Sequence, residues 1–133
     1  MMPSAVPQDL PPELIADAFI SGSEAAWPLG SAIRVVEWLR QNGIAVLGTE
    51  LWVVREDGIQ PGIYVDGMRE IHGNAVSAKH NETWSVYVDR TAEETLRYLG
   101  SFETPPEANK QGGVYFNIVW ISESEYPSLG KDL

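Results

Sequence analysis

The sequence predicts an α+β protein: a mostly antiparallel sheet with about three helices packed on it. Three segments carry that expectation. Ala32 to Gln41 sets an apolar stripe of Ile33, Val36 and Leu39 against a polar face of Arg34, Glu37 and Arg40, and Asn42-Gly43 then supplies a helix stop. Thr83 to Asp89 alternates, with Trp84, Val86 and Val88 on one side and Ser85, Tyr87 and Asp89 on the other, as a half-buried strand does. Val114 to Ile121 is apolar on both faces apart from Asn117, the pattern of a strand in the middle of a sheet. The order of helices and strands lacks the βαβ alternation of a doubly wound fold, so an antiparallel sheet follows.

The remaining elements are placed around these. Residues 1–10 carry Pro3 and Pro7 without apolar periodicity and read as a flexible arm outside the core, leaving residues 11–133 as a single domain. After Pro11-Pro12, the spacing of Leu14, Ile15, Ala18 and Phe19 predicts a short helix ended by Ser21-Gly22. Trp27 to Ser31 is turn-like. Ile44 to Leu47 and Leu51 to Arg55 read as two strands, the second closed by a hairpin turn at Glu56-Asp57-Gly58. In the glycine-rich stretch from Gly58 to Gly73, Ile63, Tyr64 and Val65 form the one strong strand core. Thr91, followed three residues on by Glu94, has the form of a capping box for a helix through Leu99. Glu103 to Gly113 is a connecting loop.

Composition narrows the chemistry. The chain has 133 residues, a size suited to one core, and its 44% hydrophobic content suits a folded domain. With no cysteine there is no disulfide, thiolate metal site or thiol nucleophile. Nineteen acidic against nine basic residues give a net charge of -10, which repels nucleic acid and anionic membranes and favours a basic partner. The charges are dispersed, so solubility alone also accounts for them. Met1 to Ile20 lacks the form of a secretory signal, and no apolar run approaches the roughly 18 residues of a membrane span, so a cytoplasmic location is expected.

No motif marks a reaction. His72 and His80 stand eight residues apart without a close metal-ligand motif, which leaves only a general base assembled in three dimensions with Asp66, Glu70 or Glu82. Gly62, Gly67 and Gly73 do not make a phosphate loop, and no serine sits in a Gly-x-Ser-x-Gly setting. Neither a metal nor a cofactor is expected. Of the five tryptophans, Trp38, Trp52, Trp84 and Trp120 fall on expected helix or strand positions, whereas Trp27, in a loop near Glu24, is the one expected to be partly exposed and open to a partner.

Ala26-Trp27-Pro28, the helix containing Ala32-Ile33 and Leu39, and the run Gly43-Ile44-Ala45-Val46-Leu47-Gly48-Thr49-Glu50-Leu51-Trp52 together resemble bacterial immunity proteins of polymorphic toxin systems. The resemblance lies over residues 26–52, and Thr49 stands where the pattern carries a second glycine. It implies a small α+β protein that binds and neutralises a cognate toxin stoichiometrically, without catalytic residues. A basic toxin would meet an acidic surface, and the carboxylates of predicted turns and loops, Glu56, Asp57, Asp66, Glu70 and Glu82, are the expected contacts, with Glu24 and Trp27 as a second region. A cytoplasmic interaction domain with some other partner, or a small enzyme or ligand binder using His72 or His80, stays open.

Overall fold

The computed structural model describes residues 6–55, 58–61, 71–72, 82–103 and 113–125. In chain order the elements are α1 (Pro12–Ala16), β1 (Phe19–Ser21), β2 (Glu24–Trp27), α2 (Leu29–Gln41), β3 (Ala45–Arg55), β4 (Gly58–Pro61), β5 (Ile71–His72), α3 (Trp84–Ser101), β6 (Gly113–Ile121) and a 3₁₀ turn at Glu123–Glu125. The strands make one sheet in the order β1-β2-β6-β3-β4, with β5 also on β3, and every pairing is antiparallel. This is the expected α+β architecture, and β6 holds the expected central place.

α2 ends as its sequence dictates. Gly43 adopts φ +69°, the Ile44 N–H donates to the Leu39 carbonyl at 2.9 Å and the Gly43 N–H to the Arg40 carbonyl at 3.2 Å, the paired bonds of a Schellman motif. Its start lies earlier than the apolar stripe suggested, because the Pro28 carbonyl already accepts from the Ala32 N–H at 2.8 Å and Pro28 can precede a helix without losing a bond.

Four expectations are corrected. The first helix stops at Ala16, and residues 19–27, read as its end followed by a loop, form a hairpin. Gly22 explains this: with φ +60° at the first central position of a two-residue connection, it makes the turn between Ser21 and Glu24. Second, the two strands expected at 44–47 and 51–55 are one continuous β3. A bulge between Val46 and Gly48 adds one residue, so that Val46, opposite Trp120, and Leu51, opposite Phe116, face the same side.

Third, Thr83 to Asp89 is not a strand but the beginning of α3. Its buried residues, Tyr87, Val88, Thr91, Ala92, Thr95 and Leu99, recur every three or four positions, whereas Val86, expected inside, is exposed. The cap is Thr83, whose hydroxyl accepts from the Val86 N–H at 3.3 Å. Thr91 lies inside the helix and donates to the Val88 carbonyl. Fourth, Leu10 is buried in the core and Val6 packs against it, so the described part of the N-terminal segment is not outside the core.

The core lies between the sheet and the helices. α2 crosses β2, β6 and β3, while α3 lies on β3 and against α2. Trp27, Val36, Leu39, Leu51, Leu99 and Phe116 form its centre, each burial of such a side chain contributing about 1.5–3 kcal/mol. A second cluster, Ala45, Tyr87, Val88 and Ile121, packs the first turn of α3 onto the sheet. The Trp84 indole N–H donates to the Gly43 carbonyl at 2.9 Å and fixes this end of α3 to the turn after α2.

Candidate partner-binding surface

The residues singled out for partner contact fall into three groups. Glu56, Asp57, Asp66 and Glu70 lie outside the described residues, as does His80. The strands beside Glu56-Asp57 are paired, Arg55 opposite Gly58. His72 is in β5, its backbone opposite Thr49. Glu24 is exposed, at the start of β2 beside the hairpin turn.

Trp27 and Glu82 are corrected. Trp27 is fully buried in β2, and its indole N–H donates to the Leu14 carbonyl at 2.8 Å, so its polar edge is used to hold α1 against the sheet. Glu82, expected as an exposed loop carboxylate, has a side chain only 5% exposed. Arg90 grips it with two bonds, Nε to Oε2 at 2.7 Å and Nη2 to Oε1 at 3.0 Å. Arg90 also donates to Glu94 Oε2 at 3.3 Å, and its guanidinium carbon lies 5.5 Å from the centre of the Tyr87 ring. The hydrogen bond with Glu82 raises the Arg90 pKa; burial opposes the rise, and the charges of Glu82 and Glu94 add to it. The cluster sets where the chain enters α3. Neither residue is a free charge for a partner.

Two groups of exposed charges stand out among the other described residues. On the outer side of the helices they are mixed in sign: Arg40 Nε meets Asp89 Oδ1 at 3.0 Å, and Glu37, Glu93 and Arg97 are exposed nearby in sequence. On the flank made by α1 and the β1–β2 hairpin, Asp9, Glu13, Asp17 and Glu24 are exposed together with Ile15 and Ile20. Asp17 accepts from the Ser31 hydroxyl at 2.8 Å, and Glu13 comes within 3.8 Å of Arg34, an exposed pair worth about 0–1 kcal/mol. The two isoleucines were not singled out by sequence reasoning, which placed them in one helix. An apolar residue just before a Gly-Ser hairpin turn is the signal that points to Ile20.

Among the described residues no three His, Cys, Asp or Glu side chains gather as metal ligands, and no helix is long and apolar enough to cross a membrane. What the surface offers is carboxylates, apolar side chains and a sheet edge, the materials of a protein contact.

Fold and surface together define a small acidic α+β protein whose exposed features suit contact with another macromolecule. The chain belongs to the Immunity protein 40 family, which matches it over residues 17–120. That span runs from the turn after α1 through nearly all of β6, and so extends the resemblance first carried by residues 26–52 across the hairpin, α2, α3 and the sheet. No curated protein and no solved structure matches the chain.

Proposed function

We propose that this chain is a bacterial, cytoplasmic immunity protein that binds a cognate toxin of a polymorphic toxin system and blocks it stoichiometrically, without catalysis of its own. The observation that carries the reading is the family match over residues 17–120. The net charge of -10 supports a basic toxin, because complementary charge speeds encounter and sharpens partner choice. Loop carboxylates Glu56, Asp57, Asp66 and Glu70 are contact candidates by their place in the sequence, and Glu24 by its exposure as well.

Co-expression with the product of the gene immediately upstream, the expected place of the toxin gene, tests this. Growth restored by the chain, a purified complex of fixed stoichiometry, and an association rate that falls about tenfold or more from low to high salt are the expected results. Toxicity unchanged by the chain, with no complex formed, refutes the reading. Protection by a chain that acts at far below the toxin's concentration overturns the stoichiometric mode.

A further inference from the structure

We propose that the flank formed by α1 and the β1–β2 hairpin is where the toxin docks, with an extended basic segment of the toxin laid along the edge of β1. The proposal rests on the immunity reading above and names the surface that serves it.

The backbone makes the first argument. Among the described residues β1 pairs with β2 alone. In a two-residue hairpin the pair closing the turn, here Ser21 and Glu24, exchanges backbone bonds, so the next pair, Ile20 and Ala25, turns its N–H and C=O groups away from each other. Asn117 confirms this phase from the inner side: its Nδ2 donates to the Ala25 carbonyl at 2.8 Å. The matching groups of Ile20 point outward, off the sheet. They are a donor and an acceptor ready for a strand from another chain.

The side chains make the second argument. Edge strands are commonly guarded by lysine or proline. This edge instead carries Ile20, 50% exposed, with Ile15 of α1 40% exposed on the same flank. Asp9, Glu13 and Asp17 are exposed in and beside α1, and Glu24, paired with Ser21, is exposed on the hairpin face opposite to that of Ile20. Residues 1–33 contain these four acidic side chains and no Lys, Arg or His. Exposed isoleucines among side chains that are acidic apart from Arg34, which comes within 3.8 Å of Glu13, are complementary to a segment that alternates apolar and basic residues, whereas on the outer side of α2 and α3 the exposed charges are mixed in sign and Arg40 pairs with Asp89.

The test uses the full chain and the product of the upstream gene, with binding kinetics, hydrogen exchange and protection of toxin-expressing cells as readouts. Glu24→Lys should slow association about tenfold, and Ile20→Thr should speed dissociation about tenfold, while circular dichroism and melting stay those of the wild type. Exchange of the Ile20 amide should slow on complex formation. Ile20→Pro, which removes the outward N–H together with the isoleucine side chain but no hydrogen bond within the hairpin, serves as a second variant should Ile20→Thr disturb the hairpin, and it should weaken binding likewise. Unchanged kinetics for these variants and an unchanged Ile20 amide overturn the proposal while leaving the immunity reading standing. In that event Asp57→Lys with Glu70→Lys, or Val86→Ser with Glu93→Lys on α3, identifies the surface actually used. Absence of binding and protection by the wild type overturns both.

Discussion

Arg90 and Glu82 form a two-bonded ion pair, 2.7 and 3.0 Å, in which the arginine side chain is 15% and the glutamate 5% exposed. Charges so far out of water are stabilising only as a pair, because either one alone keeps its desolvation penalty. The partner eight residues ahead of Arg90 lies before the helix, so the bond folds the chain entering α3 back along the helix's second turn.

Arg90→Ala should therefore destabilise the protein by about 3–5 kcal/mol, by leaving Glu82 buried without its cation. Urea denaturation measures this. The sign of the pH dependence follows from the raised Arg90 pKa: a cation whose pKa is higher folded than unfolded lends stability that is complete below the unfolded value and is lost only as pH rises through the folded one. The stability gap between wild type and Arg90→Ala should thus be the same at neutral and mildly alkaline pH. A gap that closes in that range contradicts the assignment.

Thr83 and Thr91 compete for the role of helix cap, and the structure gives it to Thr83. Thr83→Ala should cost about 1 kcal/mol through the lost cap. Thr91→Val should cost more, about 1–3 kcal/mol, because the Thr91 hydroxyl also accepts from the Val46 N–H at 3.3 Å and that buried donor would be left unpaired. Val86→Ser, at an exposed position, should change stability by only about 0.5 kcal/mol. Thermal or urea unfolding of the three variants separates these outcomes; a large loss for Val86→Ser would restore the strand-like reading of this segment.

That contest also shows what was legible. α2 could be read because its apolar stripe and its Asn42-Gly43 stop coincide, and the central place of β6 because of its continuous apolar run, although Val119, 41% exposed, shows that its two faces are not both covered as that run suggested. Thr83 to Asp89 misled because seven alternating residues span only two helical turns, too few to separate a period of 2 from one of 3.6, and because Thr91-x-x-Glu94 imitates a capping box. In the structure Glu94 is committed to Arg90 instead. Of the candidate contacts, Glu24 is exposed but starts β2 rather than lying in a loop, and the burial of Glu82 and Trp27 depends on Arg90 and on Leu14, partners that spacing in the sequence does not announce.

Trp27 now has a structural role that can be measured. Trp27→Phe removes the indole N–H and leaves the Leu14 carbonyl without its donor, which should destabilise by about 1–3 kcal/mol. Trp27→Ala, emptying a fully buried site, should cost about 3–5 kcal/mol. Below the unfolding temperature, Trp27→Phe should bind the toxin with nearly wild-type affinity; a large loss of affinity with unchanged stability would return Trp27 to the interface.

Asn117 supplies the last prediction, because it joins the core of the sheet to the flank. It is buried in β6, the one polar residue of an otherwise apolar strand core, and its side chain completes what the ladder does not: β2 pairs with β6 at Ala26 and Trp27, and the Ala25 carbonyl, one residue beyond, is taken by Asn117 Nδ2 at 2.8 Å. Asn117→Leu keeps the side chain's approximate volume and removes the donor, so the Ala25 carbonyl is left unpaired at a cost of about 1–3 kcal/mol. The loss should be local. Hydrogen exchange should quicken at residues 19–26 more than in α2 or at the centre of β3, since the hairpin is tied to the sheet along few contacts and Asn117 supplies one of them. If the hairpin presents Ile20 and Glu24 to the toxin, the same variant should bind more weakly without losing any side chain of the contact surface. Uniformly faster exchange across α2, α3 and β3 would show that Asn117 stabilises the whole fold and holds no particular claim on the hairpin.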